Sequence, residues 1–476
     1  MKNKKQFPIH FVGIKGVGMT AVAILLKEAG FPVTGSDTAE TFITDAALEK
    51  AGIQVLSAFK EDHVKQAKLV ITTGAHGGFS NPEVVTAKAN GIAVWTQGEA
   101  VGKLMQGTLL SDTPYTGISV AGTHGKTTTT SMLATIFSSL KLDPSYIIGT
   151  SSIPSLPFPG HFGKGSYFIA EADEYASEPN SDKTPKMLLQ HPKYAVVTSV
   201  ELDHPDMYED IQAVKDAFAS FISGIPSDGL LVAFGDDENL RELLPRASCP
   251  VRTYGFSPRN DFVINRVFVS GHQTFFWVRG DGTDLGEFRL NVSGEHNALN
   301  ALAALIIGLE VGQDLNHLKQ ALGDFVGSKR RMEFLGELTS GAKLYDDYAH
   351  HPTEIVKTLR AFRQMYPRER ITVIFQPHTF SRTKKLFDQF TNSFSDADRV
   401  ILMDIFGSAR ESGVQDVTTA HLLQAMNRTH KSVQYGKTPE EIIHLVDLET
   451  LTDRDVIVTM GAGDVYKLHR SFTKKG

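Results

Sequence analysis

The sequence predicts an α/β protein with three domains, because strand-like runs, turns and helical patterns alternate in three successive series along its 476 residues. The series include IHFVGIKGVGM, TGISVAGTHGKT and RITVIFQPH, each with further apolar strand-like runs nearby. A chain of this length also exceeds what one hydrophobic core usually holds. Strands that alternate with helices favour parallel sheets covered by helices.

Two changes of pattern place the domain boundaries. The stretch MQGTLLSDTPYTG is polar and rich in turn residues, which indicates a linker near residue 115. The helical pattern NALNALAALIIGLEVG closes the second series, and the next boundary is expected near residue 326. The predicted domains are therefore 1–115, 116–326 and 327–476.

Composition and charge narrow the classes of function. Hydrophobic residues make up 41% and charged residues 21% of the chain, as in folded soluble proteins. A formal net charge of -6 gives no broad attraction for nucleic acid or an anionic membrane. We find no apolar signal core and no apolar run of membrane-spanning length, and the single Cys249 cannot form an internal disulfide. We therefore expect a cytoplasmic protein without membrane insertion, and leave open whether it is a monomer or homodimer.

The stretch AGTHGKTTTT has the residues of a phosphate-binding loop between a strand and a helix. Its two glycines let backbone N–H groups approach phosphate oxygens, and the helix N-terminus adds its dipole. Lys126 adds a positive charge, and Thr127 is placed to put a hydroxyl on Mg²⁺. Only Thr123 and His124 separate Gly122 from Gly125, where the usual loop has four residues. This spacing favours a subclass of ATP-binding proteins with a tighter loop.

Carboxylates and a histidine follow two predicted strands of the second domain. The carboxyl ends of parallel strands are where ligands collect, and carboxylate oxygens suit Mg²⁺. A surface or helix-capping role before PDMYEDI is the alternative for the histidine. The candidate residues are Glu171, Asp173, Glu174, Glu201, Asp203 and His204.

The first turn, GIKGVG, has the pattern G-x-x-G-x-G. Nicotinamide-binding proteins use G-x-G-x-x-G instead, so the spacing and the separate phosphate loop make a dehydrogenase a poor interpretation. Amides around Gly13, Gly16 and Gly18 are still suited to hold a diphosphate. Asp37 ends the next strand, 19 residues after Gly18, where it would reach a ribose or a base. A tight turn without any ligand is the alternative.

The last third of the chain concentrates charge in RRMEF, LYDDYAHHPTEI and IFQPHTFSRT. Some of these residues are explained by capping of a helix whose first turn holds Thr353 and Glu354, but the density of charge at strand ends favours a ligand site. The segment SGEHNALN, with His296, Asn297 and Asn300, has the same two interpretations. The charged candidates are Arg330, Arg331, Asp346, Asp347, His350, His351, His378 and Arg382.

Taken together, these motifs resemble one known family. AGTHGKTTTT, EADE, GEHNALNALAA, RRMEFLGE, DDYAHHPTEI and FQPHTFSRT are similar to motifs of the Mur ligases of peptidoglycan synthesis, from one end of the chain to the other. The resemblance implies a Rossmann-like N-terminal domain for a UDP-sugar, a central P-loop-type α/β domain for ATP and a Rossmann-like C-terminal domain for an amino acid.

The resemblance also implies a reaction. ATP would phosphorylate the lactyl carboxylate of UDP-N-acetylmuramate, and the amine of L-alanine would attack the resulting acyl phosphate and expel phosphate. Separate domains for the substrates imply closure before the chemistry, which keeps water from the acyl phosphate.

Site residues follow from the same resemblance. The catalytic group is Lys126, which steadies the β- and γ-phosphates, with Glu171 and His204, which hold Mg²⁺ together with Thr127. The UDP-sugar is expected at Gly13, Gly16 and Gly18, with Asp37 near the uridine, and the amino acid at Tyr348, His350 and Arg382. The expected ATP contacts are Gly122, Thr123, His124, Gly125, Lys126, Thr127, Thr128, His296, Asn297, Arg331 and Asp347.

Two rivals differ in substrate or in activity. A family member that recycles murein tripeptide would share the first two domains, but FQPHTFSRT and DIFGSARE favour addition of one amino acid. A non-catalytic sensor of UDP-sugar and ATP would not need the complete lysine, threonine and acidic set. Thr379 stands where some relatives have an arginine, so carboxylate recognition is expected to rest on Arg382. The role of the long polar stretch YASEPNSDKTPKMLLQHP is left open.

Overall fold

A computed structural model describes residues 6–179, 181–407, 411 and 416–473. Three separate α/β sheets succeed one another along the chain, which confirms the predicted fold class. The boundaries near residues 115 and 326 stay predictions. Among the described residues, no helix combines the length and the apolar sequence needed to cross a membrane.

The first sheet has five parallel strands, as the strand and helix alternation predicts. Its helices are Val17–Glu28, Asp45–Lys50, Pro82–Ala89 and Gln97–Met105. Residues 19–26 are all buried, so the first helix is part of the core. In spatial order the strands are Gln54–Ser57, Val33–Asp37, Ile9–Val12, Leu69–Thr72 and Ala93–Thr96.

The second sheet is larger and mixed. Its central strands are parallel, and an antiparallel meander that the sequence analysis missed extends one edge. Its helices are Lys126–Ser139, Ile211–Ser223, Glu238–Leu243, Glu295–Glu310 and Leu315–Gly323. In spatial order the strands are Thr283–Leu290, Gln273–Gly280, Phe262–Ser270, Val251–Gly255, Leu230–Phe234, Tyr194–Val197, Thr116–Ala121, Tyr167–Glu171, Ser145–Ile147 and Gly160–His161.

The third sheet is parallel except at one edge, where Glu333–Glu337 runs antiparallel to its neighbour. Its helices are Pro352–Met365, Phe380–Lys385, Phe387–Thr391, Thr419–Thr429, Pro439–Val446 and His469–Thr473. In spatial order the strands are Glu333–Glu337, Lys343–Asp347, Asp455–Met460, Arg370–Phe375, Arg399–Leu402 and Val433–Tyr435.

The polar stretch after Tyr175 forms a small antiparallel hairpin, with strands Ala176–Glu178 and Asp182–Pro185. The hairpin contacts the first domain, because a Cβ atom added to Gly74 would lie 2.5 Å from Pro179 Cδ. The side chain of Gln106 in the first domain donates to His191 O at 3.2 Å, just beyond the hairpin. This stretch therefore forms part of the contact between the first two domains.

Candidate active site

The three domains meet at a cleft of about 400 Å³. Gly16 of the first domain, Lys126 of the second and Tyr348 of the third line its walls. A smaller cavity of about 90 Å³ adjoins the cleft, and Gly125, Arg331 and Glu354 line both spaces. Ends of parallel strands are the expected place for ligands in α/β proteins.

The predicted phosphate loop joins strand Thr116–Ala121 to helix Lys126–Ser139. Gly122 and Gly125 have φ values of 129° and 85°, a region that favours glycine. A Cβ atom on Gly122 would also overlap Thr198 Oγ1, and that hydroxyl donates to the carbonyl of His124. The glycines are therefore required by backbone conformation and by close packing.

Lys126 folds back over this loop. Its ammonium group donates to Gly122 O and to Glu174 Oε2, both at 2.6 Å. Burial alone would lower the pKa of Lys126, but the carboxylates of Glu174, Asp173 and Glu171 outweigh burial and raise it. The ammonium group of Lys126 therefore stays protonated inside the cleft.

Thr127 and Glu171 lie together, as the prediction of a shared metal ion requires. The Thr127 hydroxyl donates to Glu171 Oε2 at 3.2 Å, and Gly149 N donates to Glu171 Oε1 at 2.6 Å. Burial raises the pKa of Glu171 above its ordinary value. A positive ion beside such a buried carboxyl group would stabilise its ionised form.

His204 belongs to a neighbouring group of ligand atoms. Its Nε2 atom lies 3.7 Å from Glu174 Oε1 and 3.9 Å from Asp203 Oδ2. Among the described residues, Glu174 Oε1 is buried without a hydrogen-bond donor. One ligand atom each from Asp173, Glu174 and His204 lies within 4.8 Å of the others. This unpaired oxygen and the surrounding carboxylates fit Mg²⁺, which prefers oxygen ligands.

The first glycine turn is arranged differently. Gly16 and Gly18 line the cleft, whereas Gly13, with φ 77°, packs against Thr73. Asp37 is buried behind the turn, where its carboxylate accepts from Lys15 N and Thr38 N, both at 2.8 Å. The structure therefore places Asp37 as a support of the turn, and its role near a uridine stays a prediction.

The smaller cavity brings together most of the other residues predicted to bind ATP. Burial raises the pKa of Asp347 to about 6, although its oxygens accept from Met332 N at 2.7 Å and Ala349 N at 2.8 Å. Apolar walls from Phe234 and Tyr254 were missed by the sequence analysis, although both residues stand at carboxyl ends of strands. The predicted residues in the lining are His124, Gly125, Thr128, His296, Asn297, Arg331 and Asp347.

The residues predicted to bind the amino acid divide into two groups. Tyr348 and His350 line the cleft, and the Arg331 guanidinium lies 5.1 Å from the centre of the Tyr348 ring. Arg382 is buried behind Asp203, to which its Nε atom donates at 2.7 Å. It also donates to His378 O at 3.1 Å. Arg382 is therefore a contact between the second and third domains.

Thr379 has a local role in the structure. Its φ is 68°, and its side chain accepts from Arg382 N at the start of helix Phe380–Lys385. Residues 408–410 of the motif DIFGSARE lie outside the described residues. The preference for one amino acid, which we based on this motif and on FQPHTFSRT, stays a prediction.

Comparison with known proteins identifies the family. Models of the Mur ligase family catalytic domain, the Mur ligase middle domain and the Mur ligase glutamate ligase domain match residues 8–108, 120–308 and 330–463. The chain is 38% identical over 464 residues to a UDP-N-acetylmuramate–L-alanine ligase of Desulfitobacterium hafniense, covering 97% of this chain and 98% of the relative. The chain belongs to the Mur ligase family.

Two solved structures of Mur ligases are similar over nearly their whole length. UDP-N-acetylmuramate-alanine ligase MurC from Thermotoga maritima has a TM-score of 0.80 and 26% identity, with 99% of both chains covered. A murein peptide ligase from Psychrobacter arcticus has a TM-score of 0.70 and 25% identity, with 98% of both chains covered. The fold of this chain therefore matches these two Mur ligase structures across all three of its sheets.

Proposed function

We propose that this chain joins L-alanine to the lactyl carboxylate of UDP-N-acetylmuramate, at the expense of ATP, in peptidoglycan precursor synthesis. The observation that carries the proposal is the cleft, in which a phosphate loop, an acidic cluster and charged groups of the third domain face one another. Full-length similarity to UDP-N-acetylmuramate–L-alanine ligases supports the choice of substrates.

ATP is assigned to the phosphate loop and the smaller cavity. The loop amides and Lys126 bind the phosphates, and the nucleoside lies between Phe234, Tyr254 and Asn297. An apolar slot with an amide group suits a purine base. Arg331 lines both spaces, so its charge lies where it stabilises the transferred phosphoryl group.

Mg²⁺ is assigned to the acidic side of the cleft. Thr127, Glu171 and His204 would hold it directly or through water, and Glu174 offers a further buried oxygen. The ion would supply charge neutralisation at the β- and γ-phosphates. Burial raises the pKa of Glu171, and a cation held beside the loop would lower it and favour the ionised carboxylate.

The proposed chemistry has two steps. The lactyl carboxylate, presented by a UDP-sugar bound at Gly16 and Gly18, attacks the γ-phosphorus and releases ADP. The amine of L-alanine, bound near Tyr348 and His350, attacks the acyl carbon, and the tetrahedral intermediate expels phosphate to leave an amide. Arg382 would take the amino-acid carboxylate, which requires that it exchange part of its contact with Asp203.

A murein tripeptide is the second candidate for the amine substrate. The similarity to the Psychrobacter arcticus murein peptide ligase favours this candidate. The TM-score of that structure is lower than that of the MurC structure. Either reaction uses cytoplasmic nucleotides, and we infer a cytoplasmic enzyme, a monomer or homodimer, that needs no nucleic acid partner.

Mass spectrometry of the product tests the proposal. The purified protein is incubated with ATP, Mg²⁺, UDP-N-acetylmuramate and an equimolar mixture of L-alanine and murein tripeptide. We expect a UDP-sugar heavier by one alanine residue, with one ADP for each product molecule. A tripeptide adduct would select the recycling reaction. Neither adduct, with unchanged ATP, would support a non-catalytic sensor.

A further inference from the structure

We propose that Glu354 is a positioning residue that ties the phosphate loop to the amino-acid site. The inference rests on the proposed function and adds a residue to it. Glu354 lies in the first turn of helix Pro352–Met365, and its side chain is only 12% exposed. It lines both the cleft and the smaller cavity. Its two carboxylate oxygens contact different residues, His124 of the phosphate loop and His350 of the third domain.

One oxygen reaches the phosphate loop. Glu354 Oε1 lies 3.2 Å from His124 Nδ1, across 230 positions of sequence and across the contact between two domains. His124 Nε2 lies 3.5 Å from Glu201 Oε2. Burial alone would lower the pKa of His124, but the nearby carboxylates of Glu201 and Glu354 raise it to about 9. The loop therefore carries an imidazolium that a residue of the third domain holds in place.

The other oxygen reaches the amino-acid site. Glu354 Oε2 accepts from His350 N at 3.1 Å and lies 3.3 Å from His350 Nδ1. The same Nδ1 atom lies 3.0 Å from Tyr348 O. Because both neighbours are acceptors, Nδ1 carries the hydrogen, and Nε2 keeps its lone pair. Burial lowers the pKa of His350 to about 4, so the ring is neutral. His350 therefore presents an acceptor suited to the amine of the substrate.

Helix capping does not account for both contacts. His351 is the N-cap, and its Nδ1 atom accepts from Thr353 N at 3.2 Å. A carboxylate in the first turn also favours the helix dipole, and the contact of Glu354 with His350 N resembles half of a capping box. Neither role requires a bond to His124. Burial alone would raise the pKa of Glu354, but the hydrogen bond and charge of His124 and the charge of Arg331 hold it well below its ordinary value, so Glu354 stays ionised.

The arrangement has a mechanistic consequence. The loop imidazolium and the acceptor nitrogen of His350 are fixed by one side chain, so docking of the third domain assembles both at once. Thr353 strengthens the same contact, because its hydroxyl donates to Glu201 Oε2 at 2.6 Å. ATP would then meet an ordered loop only when the amine site is also formed, which protects the acyl phosphate from water.

Glu354→Gln tests the inference, with Arg360→Gln as the matched control. Arg360 lies on the same helix and also contacts the second domain, 3.5 Å from Glu295, but its side chain is 63% exposed. We expect Glu354→Gln to raise the KM for the amine substrate about tenfold and to lower kcat about tenfold, while the KM for the UDP-sugar changes less than about twofold. Arg360→Gln should leave all three constants within about twofold.

A double-mutant cycle tests the bond to the loop. The ADP affinities of His124→Asn, Glu354→Gln and the double variant are measured by calorimetry. Because Glu354 acts on the loop through His124, the fold-loss of ADP affinity in the double variant should be smaller than the product of the two single fold-losses. ADP binding needs no amine, so it tests the loop contact even if the amine proves not to be L-alanine. Independent effects on ADP affinity, or an unchanged amine KM in a folded Glu354→Gln protein, would overturn the proposal. If the Glu354→Gln protein does not fold, the His124→Asn protein is measured instead. An unchanged kcat of that protein would overturn the proposal.

Discussion

Two glycine turns of this molecule share a local pattern and differ in their surroundings. The charged groups at the turn of residues 13–18 contact the first domain itself. Asp37 accepts from the Lys15 amide, and Lys15 Nζ donates to Glu40 O at 2.6 Å. The loop at residues 122–127 has charges that reach other elements, since Lys126 contacts Glu174 and His124 contacts Glu354. A strand, a glycine turn and a helix therefore form a turn that can hold a phosphate in both places. The charged residues around each turn determine whether it can also take part in catalysis.

The largest expected effect compares the two lysines. Lys126→Ala should lower phosphate release at least about 10³-fold, because a buried cation at the transferred group is lost. Lys15→Ala should change it less than about threefold, because Lys15 Nζ donates to Thr38 O and Glu40 O within the first domain. Calorimetry with UDP-N-acetylmuramate should show nearly unchanged affinity for the Lys126 variant. Equal losses of turnover in both variants would remove the distinction between the turns.

Arg382→Ala should have the next largest effect. We expect the KM for the amino acid to rise about tenfold or more, and the melting temperature to fall because Asp203 would lose its buried partner. Steady-state kinetics and thermal unfolding measure the two effects separately. A lower melting temperature with an unchanged KM would make Arg382 a domain contact alone and move the carboxylate site elsewhere.

His124→Asn should lower the stability of the fold by a smaller amount, and this loss of stability should depend on pH. The folded pKa of about 9 lies above the ordinary value of 6.5, so the imidazolium stabilises the fold fully below pH 6.5 and loses its contribution as pH rises through 9. The groups that face it are Glu201, Glu354 and His351, and burial lowers the pKa of His351 to about 4. The melting-temperature difference between the wild type and the variant should therefore be largest near pH 6. A difference that is constant to pH 10 would contradict this assignment.

Asp37→Asn should have the smallest effect. One amide oxygen can still accept from the Lys15 amide, so we expect the KM for the UDP-sugar to rise only about two- to fivefold and the KM for ATP to stay unchanged. Steady-state kinetics with each substrate varied in turn measures this. A rise of about 100-fold would show that Asp37 contacts the nucleotide itself.

The sequence predicts local features of this fold better than distant ones. The phosphate loop follows from the spacing of Gly122, Gly125 and Lys126, and the parallel sheet of the first domain follows from its alternating strands and helices. The meander of Phe262–Leu290 was missed because its strands are buried by packing on one another and on the helices Glu295–Glu310 and Leu315–Gly323. The contacts of Arg382 with Asp203 and of Glu354 with His124 span 179 and 230 residues, and no local pattern specifies such pairs.

The most direct test of the central claim is phosphate release from ATP and Mg²⁺. UDP-N-acetylmuramate, L-alanine and murein tripeptide are omitted or added in turn, and each rate is compared with that of the Lys126→Ala protein. We predict fast release only when the UDP-sugar and L-alanine are both present. Release that requires the tripeptide, or that proceeds equally well without any amine, would contradict the proposed reaction.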